Sequence, residues 1–544
     1  MLRISQLRLP IEHSHEELLL KVQKQLRCKD IQELKIIRRS VDARKKPALF
    51  FEYTVDVKVK GEQELLRKCR SGQVTLVGEV PYRFPVSGYQ GTVRPVIVGM
   101  GPAGLFCGYM LAKAGFRPIL LERGKAVEER TRDVEAFWDG GSLNERSNVQ
   151  FGEGGAGTFS DGKLNTLVKD KYGRNRKVLE LFVECGAPKE ILYDYKPHIG
   201  TDVLRTVVRT LRERILQMGG EVHFSSLVTE VLLSENGNRV TGVKLEDGTC
   251  YKSDHVILAP GHSARDTFEM LYEMGISMEA KPFAVGMRVE HPQRMINLSQ
   301  YGREQVPVLG SAPYKVTARA EDGRGVYSFC MCPGGYVVNA SSKTGQLAVN
   351  GMSYSGRKGE NANSAIIITV SPEDFGKEHP LSGVRFQQKL EEAAYELKAG
   401  SVPVERYKDF YEAVRKERKA EDAETFSEEA LLPCIKGKWE YGNVHEILPE
   451  NLNRAFVDGM EQFGRMIKGF SCGNTLIEGI ESRTSSPLRI LRGNETLEAS
   501  LQGLYPCGQD CDIANVKNMI AFIHAVKEQA MQEGLLQRQW TEYM

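Results

Sequence analysis

A glycine-rich turn between residues 99 and 104 is the first feature of this sequence with the spacing to do chemistry. It reads G-x-G-x-x-G, follows a buried strand at 96–98 and precedes a helix at about 102–114. The first glycine permits a tight turn, the second lets backbone approach a pyrophosphate, and the third allows close helix–strand packing. The helix amides and dipole then face the phosphates. The pattern predicts a dinucleotide site containing Gly99, Gly101, Pro102, Ala103 and Gly104.

An acidic residue follows the next predicted strand. Residues 118–121 lead to Glu122, at the spacing where a carboxylate accepts hydrogen bonds from an adenosine ribose. Arg123 starts a long polar segment rather than another βα unit, as expected for an extended flavin nucleotide. A later strand delivers Gly508, after which Gln509 is predicted to reach the ribityl chain. These two features favour FAD. A second complete glycine motif is missing, which argues against a separate stable NAD(P) domain, so the electron partner is either NAD(P)H acting transiently or another protein.

A second glycine-rich segment, residues 152–165, interleaves glycines with polar side chains. We predict that it runs beside the flavin, with backbone amides facing the pyrophosphate or the isoalloxazine ring. The alternative is a purely structural glycine loop. The predicted contacts are Gly154, Gly155, Gly157 and Lys163.

Three more side chains are candidates for catalysis or substrate binding. His262 follows Gly261 after a buried strand, and its reference pKa suits proton donation to flavin or substrate. A hydrogen-bonded structural histidine is the equal alternative. Arg483 is predicted to bind a carboxylate or phosphate, since arginine forks favour such groups, with a salt bridge as the alternative. Arg288 is predicted to line the substrate cleft.

Two cysteines, Cys330 and Cys332, stand two residues apart and would face the same side of a strand. A redox dithiol is one interpretation. Same-face strand cysteines rarely form an unstrained disulfide, however, and the pair lacks the C-x-x-C spacing. No metal site is predicted, because a paired ligand cluster does not accompany them.

The elements that position these residues suggest a divided cofactor domain. Residues 1–89 read as a small α/β domain with a helix near 15–26 and strands near 34–38 and 49–57. Residues 90–280 and 431–544 are predicted to build the FAD domain, and residues 281–430 an inserted β/α substrate or cap domain. Basic residues near 38–46 are either a docking patch for a protein partner or a solvated hairpin tip.

Composition sets further limits. The 544 residues carry 73 Lys plus Arg against 71 Asp plus Glu, so the net charge of +2 gives no drive toward nucleic acid or an anionic membrane. The N-terminal residues do not read as a secretory signal, and an apolar run long enough to cross a bilayer is lacking. The eleven scattered cysteines do not form a disulfide framework. We therefore expect a cytoplasmic protein.

Five long motifs resemble a bacterial family of uncharacterised FAD-dependent dehydrogenases among the glutathione-reductase-like flavoproteins. They lie at residues 151–166, 196–202, 261–266, 330–335 and 481–487. The resemblance covers most of the chain. It implies FAD, a redox role, an FAD-binding Rossmann domain and an additional N-terminal domain, but no particular substrate.

The sequence departs from that family at residues 508–516. The family typically continues there with glycines that let a helix approach the flavin, whereas this chain has Asp510 and Asp512. These carboxylates would repel an anionic reduced flavin, so weak FAD binding or an altered potential is expected.

Two functions are compatible with these features. The first is an FAD-dependent oxidoreductase that transfers a hydride between a small organic substrate and flavin. The second is a flavin-binding or degenerate non-enzymatic protein that acts through a partner of the N-terminal domain.

Overall fold

The N-terminal residues form an antiparallel sheet with one covering helix. The computed structural model describes residues 1–69, 72–78, 81–82, 84, 88–164, 173–419 and 431–508. Its first elements are β1 (Leu2–Pro10), α1 (His15–Leu26), β2 (Glu33–Lys45), β3 (Ala48–Lys58), α2 (Glu62–Lys68) and β4 (Val74–Leu76). The strands pair in the order β2-β3-β1-β4. α1 has the predicted bounds because Ser14 and Glu17 form a capping box at its start.

The central region begins with a strand, a glycine turn, a helix and a second strand, as the sequence predicted. Its elements are β5 (Val96–Val98), α3 (Pro102–Ala114), β6 (Ile119–Leu121), α4 (Val127–Trp138), α5 (Arg174–Glu184), α6 (Thr201–Gln217), β7 (Glu221–His223), β8 (Val228–Leu233), β9 (Val240–Leu245), β10 (Cys250–Lys252), β11 (Val256–Leu258) and α7 (Arg265–Glu273). A 3₁₀ helix occupies Gly155–Phe159. The strand, turn, helix and strand around the first glycine motif all lie where predicted.

A parallel sheet of five strands organises this region. β24 (Leu504–Pro506), although remote in sequence, joins it in the order β24-β11-β5-β6-β7. Each neighbouring pair is parallel and in register, with Val96 opposite both Val256 and Ile119. All five strands therefore end at one edge of the sheet, and that edge is where ligands bind in open parallel sheets.

Two apolar clusters cover the two faces of this sheet. Ile97 packs with residues of α3 and α6, including Leu105 and Leu211, on one face. Its neighbours Val96 and Val98 pack on the other face, against the antiparallel sheet formed by β8, β9 and β10. Because successive strand residues point to opposite faces, a strand buried on both sides is apolar throughout.

The region that follows is built on a larger, mixed sheet. Its elements are β12 (Met278–Ala280), β13 (Phe283–Pro292), α8 (Gln293–Tyr301), β14 (Thr317–Arg319), β15 (Gly325–Cys332), β16 (Tyr336–Asn339), β17 (Val349–Met352), β18 (Asn361–Val370), α9 (Pro372–Phe375), α10 (Ser382–Lys398), β19 (Val402–Arg406), α11 (Tyr407–Arg415), β20 (Ile435–Lys436), β21 (Trp439–Tyr441), α12 (Glu450–Met466), β22 (Leu476–Glu481) and β23 (Leu488–Ile490). Seven strands pair in the order β14-β15-β18-β13-β22-β19-β21. The charged stretch 386–420, whose helical spacing of apolar residues predicts helices, is interrupted by β19, which pairs with β22 and β21 in this sheet.

The inserted sheet extends beyond the limit of residue 430 predicted for it. β13 pairs with β18 on one side and with β22 on the other, so strands on both sides of that limit share one sheet. The chain leaves and rejoins the cofactor region at β12 and β23, which pair with each other. The sequence did not show where the chain returns from the inserted sheet to the cofactor region, because β22 and β24 both have the pattern of ordinary buried strands. The domain limits themselves stay predictions.

Contacts from the N-terminal sheet hold it to the rest of the chain. Arg39 forms a two-bonded ion pair with Asp194, at 2.7 and 3.0 Å. The Arg38 guanidinium lies 4.2 Å from the ring centre of Tyr195, and Lys46 donates to the carbonyl of Ser299. Part of the basic hairpin therefore contacts its own chain. Among the described helices, none combines the length and apolarity needed to span a membrane.

Candidate functional site

A cleft lies at the edge of the parallel sheet where the strands end. It has about 1240 Å³ of empty space, including the part open to solvent. The segments that follow β5, β6, β7, β11 and β24 all contribute to its wall. Its lining residues include Gly99, Gly101, Glu122, Ser226, Ala259, His262 and Gly508. The parallel register brings together segments that are up to four hundred residues apart in sequence.

The three glycines of the first motif have different roles. Gly99 has φ +95°, and a Cβ there would collide with the carbonyl oxygen of Ala259. A Cβ at Gly104 would collide with the carbonyl oxygen of Gly99. A Cβ at Gly101 would have no protein atom nearer than Gly155 Cα at 3.8 Å. Gly99 and Gly104 are therefore required by the turn, whereas the absence of a side chain at Gly101 leaves room for a ligand.

The start of α3 opens into the cleft. Gly101 is its N-cap and Pro102 its first residue, and Pro102 and Ala103 line the space. The first N–H groups of a helix have no acceptor within the helix, and the dipole favours negative charge there. This arrangement suits a diphosphate.

Glu122 lies at the end of β6 with its carboxylate buried beside the turn. One oxygen accepts from Met100 N at 2.7 Å, and the other from Gly124 N at 2.9 Å and Gly152 N at 3.0 Å. The side chain lines the cleft. It therefore ties both glycine-rich segments together and retains acceptor capacity on Oε2 for a ligand hydroxyl.

Arg123 also lines the cleft, but its charge is used by the protein. It binds Asp266 through two hydrogen bonds of 2.9 and 3.0 Å and donates to Thr267 Oγ1. Its guanidinium lies 4.4 Å from the ring centre of Phe151. The arrangement fixes the wall of the cleft at this point.

The second glycine-rich segment reaches the cleft only in part. Gly155 and Gly157 line it. Gly154 instead donates its N–H to the carbonyl of Met100 at 2.8 Å. Lys163 points away, donating to the carbonyl of Met331 and lying 3.3 Å from Asp161 Oδ2. The predicted contact of Lys163 with the cofactor is thus replaced here by a contact with the inserted region.

His262 is the titratable side chain of the cleft with an unused ring nitrogen. Its Nε2 is buried and has no hydrogen-bond partner among the residues that the structure describes. Burial, followed by the charges of Arg483 and Arg265, lowers the pKa of His262 from 6.5 to about 4. The ring is therefore neutral at pH 7. Gly261, just before it, has φ +76° and no atom within 4 Å of a Cβ position, so this turn is open toward the cleft.

A buried carboxylate organises the residues around His262. Glu391 accepts from Arg265 at 2.7 and 2.9 Å, from Arg483 at 2.7 and 2.9 Å, and from the Ser482 hydroxyl at 2.6 Å. Burial acts to raise the pKa of Glu391, but Arg483 and Arg265 outweigh it and hold that pKa far below its usual range. Arg483 thus binds an internal carboxylate, which corresponds to the salt-bridge alternative.

Arg288 lies in the inserted sheet and does not line the cleft. It is fully buried, 2.5 Å from Glu481 Oε2 and 2.9 Å from Asn363 Oδ1. Burial opposes its charge, yet the carboxylate of Glu481 raises the pKa of Arg288. Its position was predicted correctly only as belonging to the inserted region.

The last predicted contacts follow β24. Gly508 lines the cleft with φ +121° and no atom within 4 Å of a Cβ position. Gln509 and the unusual segment to residue 516 lie outside the described residues. Ser226 and Gln150 also line the cleft and were not predicted. The rule that ligands bind at the carboxyl ends of parallel strands would have indicated Ser226, which follows β7.

The cleft fits FAD by its own structure. Glycine backbone without Cβ atoms, a helix N-terminus and a ribose-type acceptor all border one space, which His262 also lines. Gly99 to Ala103 would hold the diphosphate and Glu122 the adenosine ribose. Gly261, His262 and Gly508 would lie along the flavin portion.

Comparison with known proteins agrees with this chemistry. A family model described as "FAD-dependent protein, C-terminal domain-like" matches residues 282–484, and a domain of unknown function matches residues 1–58. An uncharacterized protein of Clostridium beijerinckii is 41% identical over 520 residues, covering 94% of this chain and 95% of the relative.

The chain belongs to this family of FAD-dependent proteins. The resemblance inferred from the motifs is confirmed. So is the predicted fold class: an FAD-binding Rossmann domain, an inserted β/α domain and a small N-terminal α/β domain.

Two solved structures are similar to this chain at low identity. An oxidoreductase from Methanosarcina mazei is 12% identical with a TM-score of 0.34, covering 80% of this chain and 100% of its own. L-proline dehydrogenase from P. horikoshii is 10% identical with a TM-score of 0.31, covering 84% and 96%. At these scores the likeness carries no argument about substrate or mechanism.

Proposed function

We propose that this FAD-dependent protein is an oxidoreductase that transfers a hydride between a small organic substrate and flavin. The observation that carries the proposal is the convergence of the five strand ends on one cleft that His262 also lines. When bound, FAD would supply the hydride chemistry, and the protein would supply binding, orientation and electrostatics. NAD(P)H acting transiently is the proposed electron donor.

His262 is the proposed proton-handling residue. A hydrogen bond to the backbone of Arg483 is among the influences on its pKa, and Nε2 remains without a partner. A neutral imidazole with a free lone pair can accept a proton from a substrate or hold it by a hydrogen bond. Glu391 fixes Arg265 and Arg483, so the surroundings of the ring are rigid.

The test is spectroscopic. Protein purified with excess FAD should show a flavin absorption spectrum, and anaerobic NADH or NADPH should bleach it. Bleaching that only one nucleotide produces would identify the donor. Flavin that binds but is reduced by neither nucleotide would count against NAD(P)H as donor, and protein that takes up no FAD would overturn the proposal.

His262→Gln separates a chemical from a structural role. Loss of proton transfer should lower kcat by about 10²–10⁴-fold with little change in KM, provided that proton transfer limits the rate. Leu227→Met, which alters another lining residue without a ring nitrogen, is the matched control. Equal kcat values for His262→Gln and wild type would remove His262 from the mechanism.

A second candidate function is a flavin-binding or degenerate protein acting through a partner of the N-terminal domain. β2 supports it, because this long strand lies at the edge of its sheet, bonds at Arg39 to the chain's own residues 193–195 and exposes Val41 by 41%. Exposed edge strands can pair with another chain. Colourless protein that refuses FAD would favour this candidate. A cytoplasmic location belongs to both proposals and is supported by the ten unbonded cysteines among the described residues.

A further inference from the structure

The segment Cys330-Met331-Cys332 at the end of β15 is not a regular strand. The pairing of β15 with β18 shifts register between Phe329 and Cys332, and Cys330 has φ +44°. The prediction that the two cysteines face the same side assumed a regular strand, and the backbone is irregular at this position. A non-glycine residue in the left-handed region costs free energy, and such residues concentrate at functional sites.

Two buried cations hold the backbone of this segment. Arg288 Nη2 donates to the carbonyl of Cys330 at 2.6 Å, and Lys163 donates to the carbonyl of Met331. The thiol of Cys332 lies 3.2 Å from the carbonyl oxygen of Cys330. The conformation is thus fixed from the FAD region by Lys163 and from the inserted sheet by Arg288.

The same cations act on the sulfur atoms. A hydrogen bond with the Cys332 thiol, opposed by burial and then assisted by Lys163 and Arg288, lowers the pKa of Cys330 to about 5. Asp161 acts in the opposite direction. Burial and the bond to Cys330 raise the pKa of Cys332 well above its usual range. Lys163 and Arg288 therefore favour the thiolate form of Cys330, whereas burial favours the thiol form of Cys332.

Accessibility distinguishes this pair from structural cysteines. Cys330 is partly buried and follows Phe329, which is 40% exposed, whereas Cys332 is buried. Cys107 is fully buried, and burial raises its pKa well above the usual range. Reactive cysteines lie in electropositive, partly exposed surroundings, and structural cysteines do not.

We propose that Cys330 and Cys332 form a thiol–disulfide exchange site for a low-molecular-weight disulfide, with Cys330 as the attacking thiolate and Cys332 as the resolving thiol. The Cys330 thiolate attacks one sulfur of the disulfide, forming a mixed disulfide and releasing one thiolate. The Cys332 thiol gives its proton to that thiolate and attacks Cys330 Sγ, releasing the second thiolate. The two cysteines are oxidised to a disulfide, and the substrate disulfide is reduced to one thiol and one thiolate, which takes up a proton from solvent according to its own pKa.

The aromatic disulfide DTNB tests both steps on the full-length protein. The wild type should release two coloured thiolates from this pair in one fast phase, leaving a linked Cys330–Cys332 peptide lighter by two hydrogen atoms. Cys332→Ser should release one and retain the adduct on Cys330. Cys330→Ser should lack the fast phase, whereas Cys250→Ser, at an exposed site, should keep it.

Alkylation of the wild type tests the thiolate without relying on a cysteine variant. Peptide mapping after iodoacetamide at about pH 6 should show Cys330 reacting about tenfold faster than an ordinary thiol, since its larger thiolate fraction outweighs its lower nucleophilicity. Lys163→Met should move half-maximal alkylation to higher pH, and Lys163→Arg should restore it. Charged groups facing the pair are Lys163, Arg288, Asp161 and Glu481.

Three results would overturn the proposal. The first is a fast phase that survives in Cys330→Ser. The second is a wild-type protein that keeps the mixed disulfide, since Cys332 would then not resolve it. The third is Cys330 alkylation at the rate of the other cysteines at pH 6. None of these measurements requires bound flavin, so the outcome is independent of the proposed hydride transfer.

Discussion

Substituting the first two glycines of the G-x-G-x-x-G turn separates folding from ligand binding. Gly101 has φ −67°, which alanine adopts without strain, and the nearest protein atom to its Cβ would be 3.8 Å away. We therefore expect Gly101→Ala to change the free energy of unfolding by less than about 1 kcal/mol, with the reduced freedom of the unfolded chain acting in its favour. The same methyl group would occupy space needed by a diphosphate.

The expected loss of affinity follows from overpacking. Forcing an additional methyl group into a close contact costs about 1–3 kcal/mol. Because about 1.4 kcal/mol corresponds to a tenfold change in Kd, FAD should bind roughly 5- to 150-fold more weakly to Gly101→Ala. Gly99→Ala should behave differently. Its φ of +95° costs about 1–2 kcal/mol for alanine, and its Cβ would collide with the Ala259 carbonyl that continues β11.

The assay combines urea unfolding of the apoprotein with FAD titration followed by flavin fluorescence. Gly72→Ala is the control, because its Cβ would meet no atom within 4 Å and it lies outside the cleft. The reasoning fails if Gly101→Ala binds FAD as tightly as the wild type. It fails equally if Gly101→Ala unfolds as easily as Gly99→Ala.

Four further predictions concern buried charge. Burial raises the pKa of Glu153 from 4.5 to about 7. Its contribution to the free energy of unfolding is therefore present below pH 4.5 and is lost as pH rises through 7. Glu153→Gln should therefore gain up to about 3 kcal/mol over the wild type between pH 5 and 8, measured by urea midpoints. The lowered pKa of His262 has the opposite effect: its contribution to the free energy of unfolding is present above pH 6.5 and is lost as pH falls through 4. The free energy of unfolding of His262→Gln should therefore fall less steeply at acid pH than that of the wild type. Glu391→Gln should cost about 3–5 kcal/mol because two buried arginines lose their partner, whereas Glu279→Gln, in an exposed pair, should cost less than about 1 kcal/mol in the same unfolding assay. Glu122→Gln should cost about 1–3 kcal/mol in that assay, since an amide N–H would then face backbone N–H donors.

Local patterns made the cofactor turn predictable. Val96–Val98, the glycine spacing and Glu122 lie within one short stretch, and each residue type is required by the backbone it occupies. Burial of the strand on both faces explains its unbroken apolar sequence. The structure adds that Gly104 does not line the cleft, because its missing side chain serves helix–turn packing.

Long-range pairing could not be read in the same way. Glu391 lies on α10, 126 residues from Arg265 and 92 residues from Arg483, and nothing local indicates that they meet. Lys163 follows a glycine-rich segment of which part does line the cleft, but the carbonyl of Met331 lies within its reach. A long lysine side chain can reach an acceptor that lies away from its own loop. The residue spacing therefore predicted that the segment borders the cleft, but it did not predict where the ammonium group of Lys163 binds.

The surroundings of His262 and of Cys330 both favour the unprotonated form of the side chain, and the physical cause is the same in both. Near His262 the two arginines exceed the one carboxylate, so burial and positive charge both favour the neutral ring. Near Cys330 the cations Lys163 and Arg288 stabilise an anion, and Glu481 compensates them only in part, because burial raises its pKa to about 7. Removing a cation should therefore raise the pKa of both groups, leaving His262 easier to protonate and Cys330 harder to ionise. The pKa of His262 in Arg483→Met can be measured by NMR titration, and the pKa of Cys330 in Lys163→Met by the pH dependence of alkylation. If one of these pKa values rose and the other fell, the common origin would be contradicted.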